Sequence, residues 1–222
     1  AIALVAGIAW PWMEYGTPGV LTVIGMIAGI WVVGSSLIDP VSRIRAGHSL
    51  SPSVLGMAVA HLGLGLFVIG VTGVESYKIE RDLGLKPGES TSIAGYEFRF
   101  DSTRDVRGPN FEAVEGQVTV TKGGEPVAVL HPQKRIYRVQ TNPMTEAGID
   151  AGLGRDLFVA LGEPLGEDAW SMRLQYKPLV RLIWGGCLVM ALGGLLAATD
   201  RRYRVRVTKS ADAPASAAAA SV

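Results

Sequence analysis

Charge is scarce and unevenly placed in this sequence: 18% of its 222 residues are Asp, Glu, Lys or Arg, where a soluble domain carries about a quarter. Tyr15–Ile38 and Leu182–Thr199 hold no charged residue, and Leu50–Val74 holds none beyond the ionisable His61. A helix needs about 20 mostly apolar residues to cross a hydrocarbon core of about 30 Å, so these stretches read as membrane spans. Cysteine is nearly absent as well. Cys187 stands alone, inside the last apolar stretch, which excludes an internal disulfide, a CxxC dithiol and a CxxCH motif in this chain. The net charge is +1 and the Lys and Arg residues fall on separate segments, so no basic face for nucleic acid is present. Gly84, Gly88 and Gly95 lack the spacing of a phosphate-cradling loop.

What is present is a membrane topology written in charge asymmetry. Cytoplasmic loops collect Lys and Arg. Asp200-Arg201-Arg202-Tyr203-Arg204-Val205-Arg206 is a strong inside signal, and Arg43, Arg45 and His48 mark 39–53 as inside too. Residues 10–17 carry one acid and no base, with Trp10, Trp12 and Tyr15 suited to an outer aromatic belt. Residues 1–9 therefore read as the end of a truncated transmembrane helix, 18–38 as an inward span, 53–74 as an outward span, and 179–199 as the return. Residues 75–178 form the outer domain, and 200–222 a basic and Ala-rich cytoplasmic tail, expected to be disordered from 210 onward.

Within 75–178 the pattern changes to alternation. Tyr96, Phe98 and Phe100 alternate with polar residues, as do Val118 and Val120, and Lys122-Gly123-Gly124-Glu125 signals a hairpin into Val127 and Val129. Ile136, Leu157 with Val159, and Met172, Leu174 and Tyr176 mark further strands. The expected class is a membrane α-helical bundle with an inserted all-β extracytoplasmic domain, a small antiparallel barrel or sandwich of six or seven short strands, OB-like. Asp101–Glu112 and Thr141–Arg155 are expected as its longer loops.

His61 is the sharpest candidate for chemistry. It lies about eight residues into its span, hence about 12 Å deep at 1.5 Å per residue, and an ionisable side chain at such depth is a functional candidate. Imidazole binds iron, copper and zinc. Ala58, Ala60, Gly63 and Gly65 around it would let a flat macrocycle approach the backbone. The alternative is a neutral histidine hydrogen-bonded between helices, with the glycines serving packing. His131 and His48 read as a solvated surface residue and part of the inside signal. Asp156 and Glu163 are too dispersed for a carboxylate pair, and helix two, with Trp31, Ser35 and Ser36, offers no proton path.

Several blocks resemble one family. They are Gly56-Met57-Ala58-Val59-Ala60-His61-Leu62-Gly63, Pro132-Gln133-Lys134-Arg135-Ile136-Tyr137 and Thr145-Glu146-Ala147-Gly148-Ile149-Asp150. Asp156–Glu163, Trp170–Arg173, Lys177–Arg181, Met190–Gly194 and Asp200–Arg204 continue the series. Their order, over about 53–204, is similar to the C-terminal part of the CcmF family, the haem lyase subunit of system I cytochrome c maturation. The first fifty residues match in hydropathy alone, and Gln133 stands where the family often has Glu. The resemblance implies an inner-membrane protein, its β domain periplasmic and its C-terminus cytoplasmic, that helps join haem to the CxxCH thiols of apocytochrome c. It implies a membrane haem b with His61 as axial ligand to the iron and the second histidine outside this chain. The implied partners are the upstream part of the same protein, the CcmE haem chaperone, a CcmH-type apocytochrome-binding subunit and apocytochrome c. The family's tryptophan-rich segment and periplasmic haem-ligating histidines match nothing here, Trp10-Pro11-Trp12 and His131 included, so the stretch is not expected to ligate haem alone. Arg104, Arg107, Lys134 and Arg135 are candidates to meet haem propionates or a partner. Two other readings compete: a membrane-anchored assembly or docking subunit without its own cofactor, and a transporter component, against which stands the lack of intramembrane acids.

Overall fold

The structure, a computed structural model, describes residues 2–139 and 142–200, without the side chains of Pro11, Glu14 and Tyr15. The basic run and Ala-rich tail beyond 200 lie outside the described residues. The chain divides into two compact units, Ala1–Ile69 with Leu182–Val222, and Gly70–Arg181.

Four helices occur among the described residues: α1 (Ile2–Tyr15), α2 (Val20–Arg45), α3 (Pro52–Tyr77) and α4 (Val180–Ala198). The last three are long and apolar enough to cross a membrane. Helical structure outruns the apolar windows. The segment 10–17, expected as a loop, is helical through Tyr15, because a proline at position 11 removes a single backbone donor from an otherwise apolar helix. α2 likewise continues through buried Pro40 to Arg45. Its polar end is held by the Asp39–Arg43 pair at 2.9 Å, one turn apart, and by Arg43 and Arg45 in the last turn, where cations suit the helix dipole. Ser51 and Pro52 start α3: the Val54 N–H donates to Ser51 Oγ at 3.4 Å, and proline suits the first helical position.

The second unit is all-β between its helical ends. One sheet has the order β1 (Ile79–Leu85), β10 (Ala169–Pro178), β9 (Arg155–Gly166) and β8 (Gly148–Ala151). The other runs β2 (Ser90–Ile93), β3 (Tyr96–Arg107), β4 (Phe111–Lys122), β6 (Gln133–Tyr137) and β7 (Met144–Glu146), with β5 (Glu125–Leu130) also on β4. All pairings are antiparallel. Alternation buries one face of each sheet. Phe98, Phe100, Val118 and Val120 from one meet Leu157, Val159, Leu161, Met172 and Leu174 from the other in a shared core, which makes the domain a sandwich. Lys122 pairs with Glu125, and Gly123 and Gly124 take φ of 60° and 86°, as a two-residue hairpin turn requires.

The first expected loop is strand for most of its length, and the second is strand in part. Residues 101–112 are the far arms of the β3–β4 hairpin, which turns at 108–110. A register shift after Phe100 carries these arms off the apolar core, so hydrophobic alternation fades while Arg104–Glu115 and Arg107–Glu112 face each other across the ladder. Within 142–155, β7 pairs with β6 and β8 with β9, both strands too short to show a period. The result is ten strands among the described residues, not six or seven.

Phe98 is fully buried, so Phe98→Ala should destabilise the sandwich by about 3–5 kcal/mol. Gly124→Val, which forces a branched side chain into positive φ, should cost about 1–2 kcal/mol. Calorimetric unfolding of both variants checks the ranking.

Candidate functional site

α3 is contacted on two sides by glycine. On one side a Cβ built on Gly63 would lie 2.5 Å from the Met190 nitrogen and 2.7 Å from the Gly186 carbonyl oxygen of α4. One built on Gly186 would lie 2.7 Å from both the Gly63 oxygen and the Phe67 nitrogen, and Gly56 faces Gly193 in the same way. On another side Gly65 meets Val33 and the Gly29 carbonyl of α2. Met57, His61 and Leu64, at one-turn spacing, remain exposed. Gly63 and Gly65 therefore serve helix packing; they do not open the backbone to a macrocycle, which corrects the expectation for those two residues. The sterics leave no alternative, since any side chain there would overlap the neighbouring backbone.

His61 itself is not sandwiched between helices. Its Nδ1 lies 2.8 Å from the Met57 carbonyl oxygen. A carbonyl only accepts, so Nδ1 carries the proton and donates it. In the neutral ring Nε2 then holds the free lone pair, the state a metal ligand needs, with the ring oriented by its second-shell bond. The arrangement, an oriented imidazole with an outward nitrogen on the apolar stripe between Met57 and Leu64, fits a haem iron.

Below His61, the N-terminus of α3 receives a carboxylate from beyond α4. Asp200 is 4% exposed, and its Oδ2 accepts the Ser53 N–H at 3.2 Å. A carboxylate at a helix N-terminus satisfies an orphan donor and the dipole together. In sequence Asp200 looked like the first residue of the basic run; an acid directly after an apolar span, before bases, was the available signal.

The outer basic residues are not a free patch. Arg104 donates to Glu115 at 2.8 Å, Arg107 sits 3.7 Å from Glu112, Lys134 is 2.7 Å from Glu163, and Arg135 is 3.2 Å from Glu146. His131 Nδ1 stands 3.7 Å from Glu115, and Gln133 donates to the same carboxylate. Glu115, 6% exposed, is thus the hub of a small network that sequence reading missed. Its position on the same face as Ala113 of β4 was the signal. Burial pushes the Glu115 carboxyl up, but hydrogen bonds from Gln133 and Arg104 and the adjacent positive charges outweigh it and hold it below its ordinary value. Asp156 and Glu163 pair separately, Asp156 with Arg181 at 3.5 Å. Among the described residues no group of three His, Cys, Asp or Glu is placed to hold a metal ion.

Three apolar helices of spanning length and a two-sheet β-sandwich, with one outward imidazole on the helical part, define a membrane protein with a folded domain inserted between two helices. A family model described as the CcmF C-terminal beta-sandwich matches residues 76–178. The chain is 46% identical over 213 residues to the cytochrome c-type biogenesis protein CcmF of Pseudomonas fluorescens, a match covering 93% of this chain and 32% of that protein. It is 41% identical over 211 residues to the protein of that name from Escherichia coli, covering 95% and 33%. A solved structure, Cytochrome c Heme Lyase CcmF, shares the fold with a TM-score of 0.72 at 19% identity, over 88% of this chain and 33% of that one. Over the matched residues the chain is similar to the C-terminal part of the CcmF family, and it spans about a third of the length of the curated relatives it matches.

Gly63→Leu should force α3 and α4 apart and cost about 1–3 kcal/mol or more, read as a lowered melting temperature in detergent. Glu115 supplies a pH test. A carboxyl held below its ordinary 4.5 contributes stability that is present above that value and lost as pH falls through the lower folded one. Glu115→Gln should therefore destabilise the sandwich by about 1–2 kcal/mol near neutral pH, and the difference from wild type should shrink as pH falls below 4.5 in parallel melts.

Proposed function

We propose that this chain is part of a haem lyase subunit of cytochrome c maturation, in which His61 is an axial ligand to a membrane haem b. The observation that carries the reading is the Nδ1–H bond from His61 to the Met57 carbonyl at 2.8 Å, on an exposed helix face within an apolar span. It leaves Nε2 outward and in the correct tautomer. Supporting it are relatives named for cytochrome c biogenesis.

When bound, haem supplies one-electron transfer, the chemistry needed to keep iron reduced for thioether formation. The chain's own residues do the rest. Met57 orients the imidazole through its backbone oxygen. Gly56 and Gly63 fix the rotation of α3 against α4, so the ring stays on the open stripe. The Asp200 carboxylate anchors the helix start. The second axial histidine, the CcmE chaperone, a CcmH-type subunit and apocytochrome c lie outside this chain. We place the protein in the bacterial inner membrane. Arg43 and Arg45 at the end of α2 and the basic run after Asp200 support an inside position for those ends, which puts the sandwich in the periplasm.

The test uses the full-length parent protein in mild detergent, with reduced-minus-oxidised visible spectra of wild type beside His61→Ala. Sharp low-spin b-type bands that vanish or shift in the variant are expected. Bands unchanged in a folded variant would move the ligand elsewhere, and no haem in a folded wild type would favour a docking subunit without a cofactor.

A further inference from the structure

We propose that the outward face of β9 and β10 is a docking site for an extended, acidic peptide segment of a partner protein. A trough of about 530 Å³ lies there, within the sandwich unit. Its floor is made of small residues, Ala160 and Gly162 of β9 with Ala147 beside them. A Cβ on Gly162 would come 3.0 Å from the Ser171 carbonyl oxygen, so the floor is already as shallow as its backbone allows.

The polar groups of the trough come at a fixed interval. Met172 and Leu174 of β10 point into the core, so Ser171, Arg173, Gln175 and Lys177 share the outer face, about 6.8 Å apart at two residues per repeat. An extended peptide laid along the strand presents its own groups at that same repeat, whereas a lipid surface or a free anion has none.

Two of these groups are uncommitted. Arg173 is paired with Asp82 through bonds of 2.7 and 2.9 Å and also stands 3.1 Å from Glu80. Gln175 is 8% exposed; its amide N–H donates to Glu80 at 2.7 Å, and its carbonyl oxygen has no hydrogen-bonding partner among the described residues. A buried acceptor left unmade is unfavourable, and a ligand N–H or O–H that reached it would recover that loss. Two residues on, Lys177 Nζ lies over the Phe158 ring at 5.0 Å and forms no ion pair among the described residues. Arg173 is held by Asp82 and Glu80, which leaves Lys177 as the lining cation without an ion pair among the described residues. Phe158 is the cross-strand partner of Gln175, so Lys177 and Phe158 flank the buried amide on the same face. The segment recognised thus carries a hydrogen-bond donor and, one repeat further, a carboxylate, with small apolar side chains against the floor.

The test titrates the full-length parent protein in detergent with a fluorescent peptide, Val-Ser-Val-Asp repeated, followed by anisotropy. Saturable binding is expected. It should weaken at least tenfold with a peptide carrying Lys for Asp, with Lys177→Glu, and with Ala160→Leu, which fills the floor. Lys177 is half-buried, so the melting temperature of its variant is compared with that of wild type and the Ala160→Leu variant tests the trough independently. Equal binding of the lysine peptide, binding indifferent to both variants, or no saturable binding would overturn the proposal. So would a photocrosslinker at position 160 that joins the parent's own chain, since the trough would then be covered from within.

Discussion

Contact between the backbones of α3 and α4 at paired glycines is the constraint on which the helical part depends. In lipid there is no hydrophobic gain from bringing two apolar helices together, so association rests on close van der Waals packing. Gly56 against Gly193 and Gly63 against Gly186 provide it. Because any Cβ would collide, the rotation of α3 has one solution, and the Gly29–Gly65 approach of α2 uses a second side of the same helix. The stripe through Met57, His61 and Leu64 is what those two contacts leave over. The orientation of the imidazole follows from glycines that never touch it.

The sandwich is organised on the opposite principle. Its stability comes from the apolar layer centred on Phe98, Phe100, Leu157 and Leu174, while many of its surface charges stand in pairs. Exposed pairs of this kind contribute little to stability. Their effect is to cancel local fields where they pair.

The membrane helices and the sandwich class were legible from the sequence because each is set by a strong periodic signal: uncharged runs in one case, two-residue alternation in the other. The Lys122–Glu125 turn was legible because only glycine accepts the required φ at both central positions. What the sequence hid was weakly periodic or non-local. The outer arms of β3 and β4 leave the core and lose their alternation. β7 and β8 are too short to have a period. The continuation of α2 past Pro40 rests on one ion pair and the helix dipole. Asp200 capping α3, and Glu115 gathering Arg104, Gln133 and His131, join residues distant in the chain. His61 was legible as a residue and hidden as a site: its depth marked it, but its tautomer depends on a carbonyl one turn away.

A single residue, Lys78, separates α3 from β1, and a single residue, Leu179, separates β10 from α4. β1 and β10 are paired neighbours, with Ile79 opposite Tyr176. The sandwich therefore begins and finishes at one spot on its own surface. In chain-entropy terms the folded domain closes the path between the two helices as a tight turn does, however many residues it contains, since only the distance between its ends enters the closure cost. Strands and loops far from β1 and β10 are then free to lengthen, shorten or be replaced without altering the path between the two helices, so the sandwich can diverge as an independent module while the spans flanking it stay fixed.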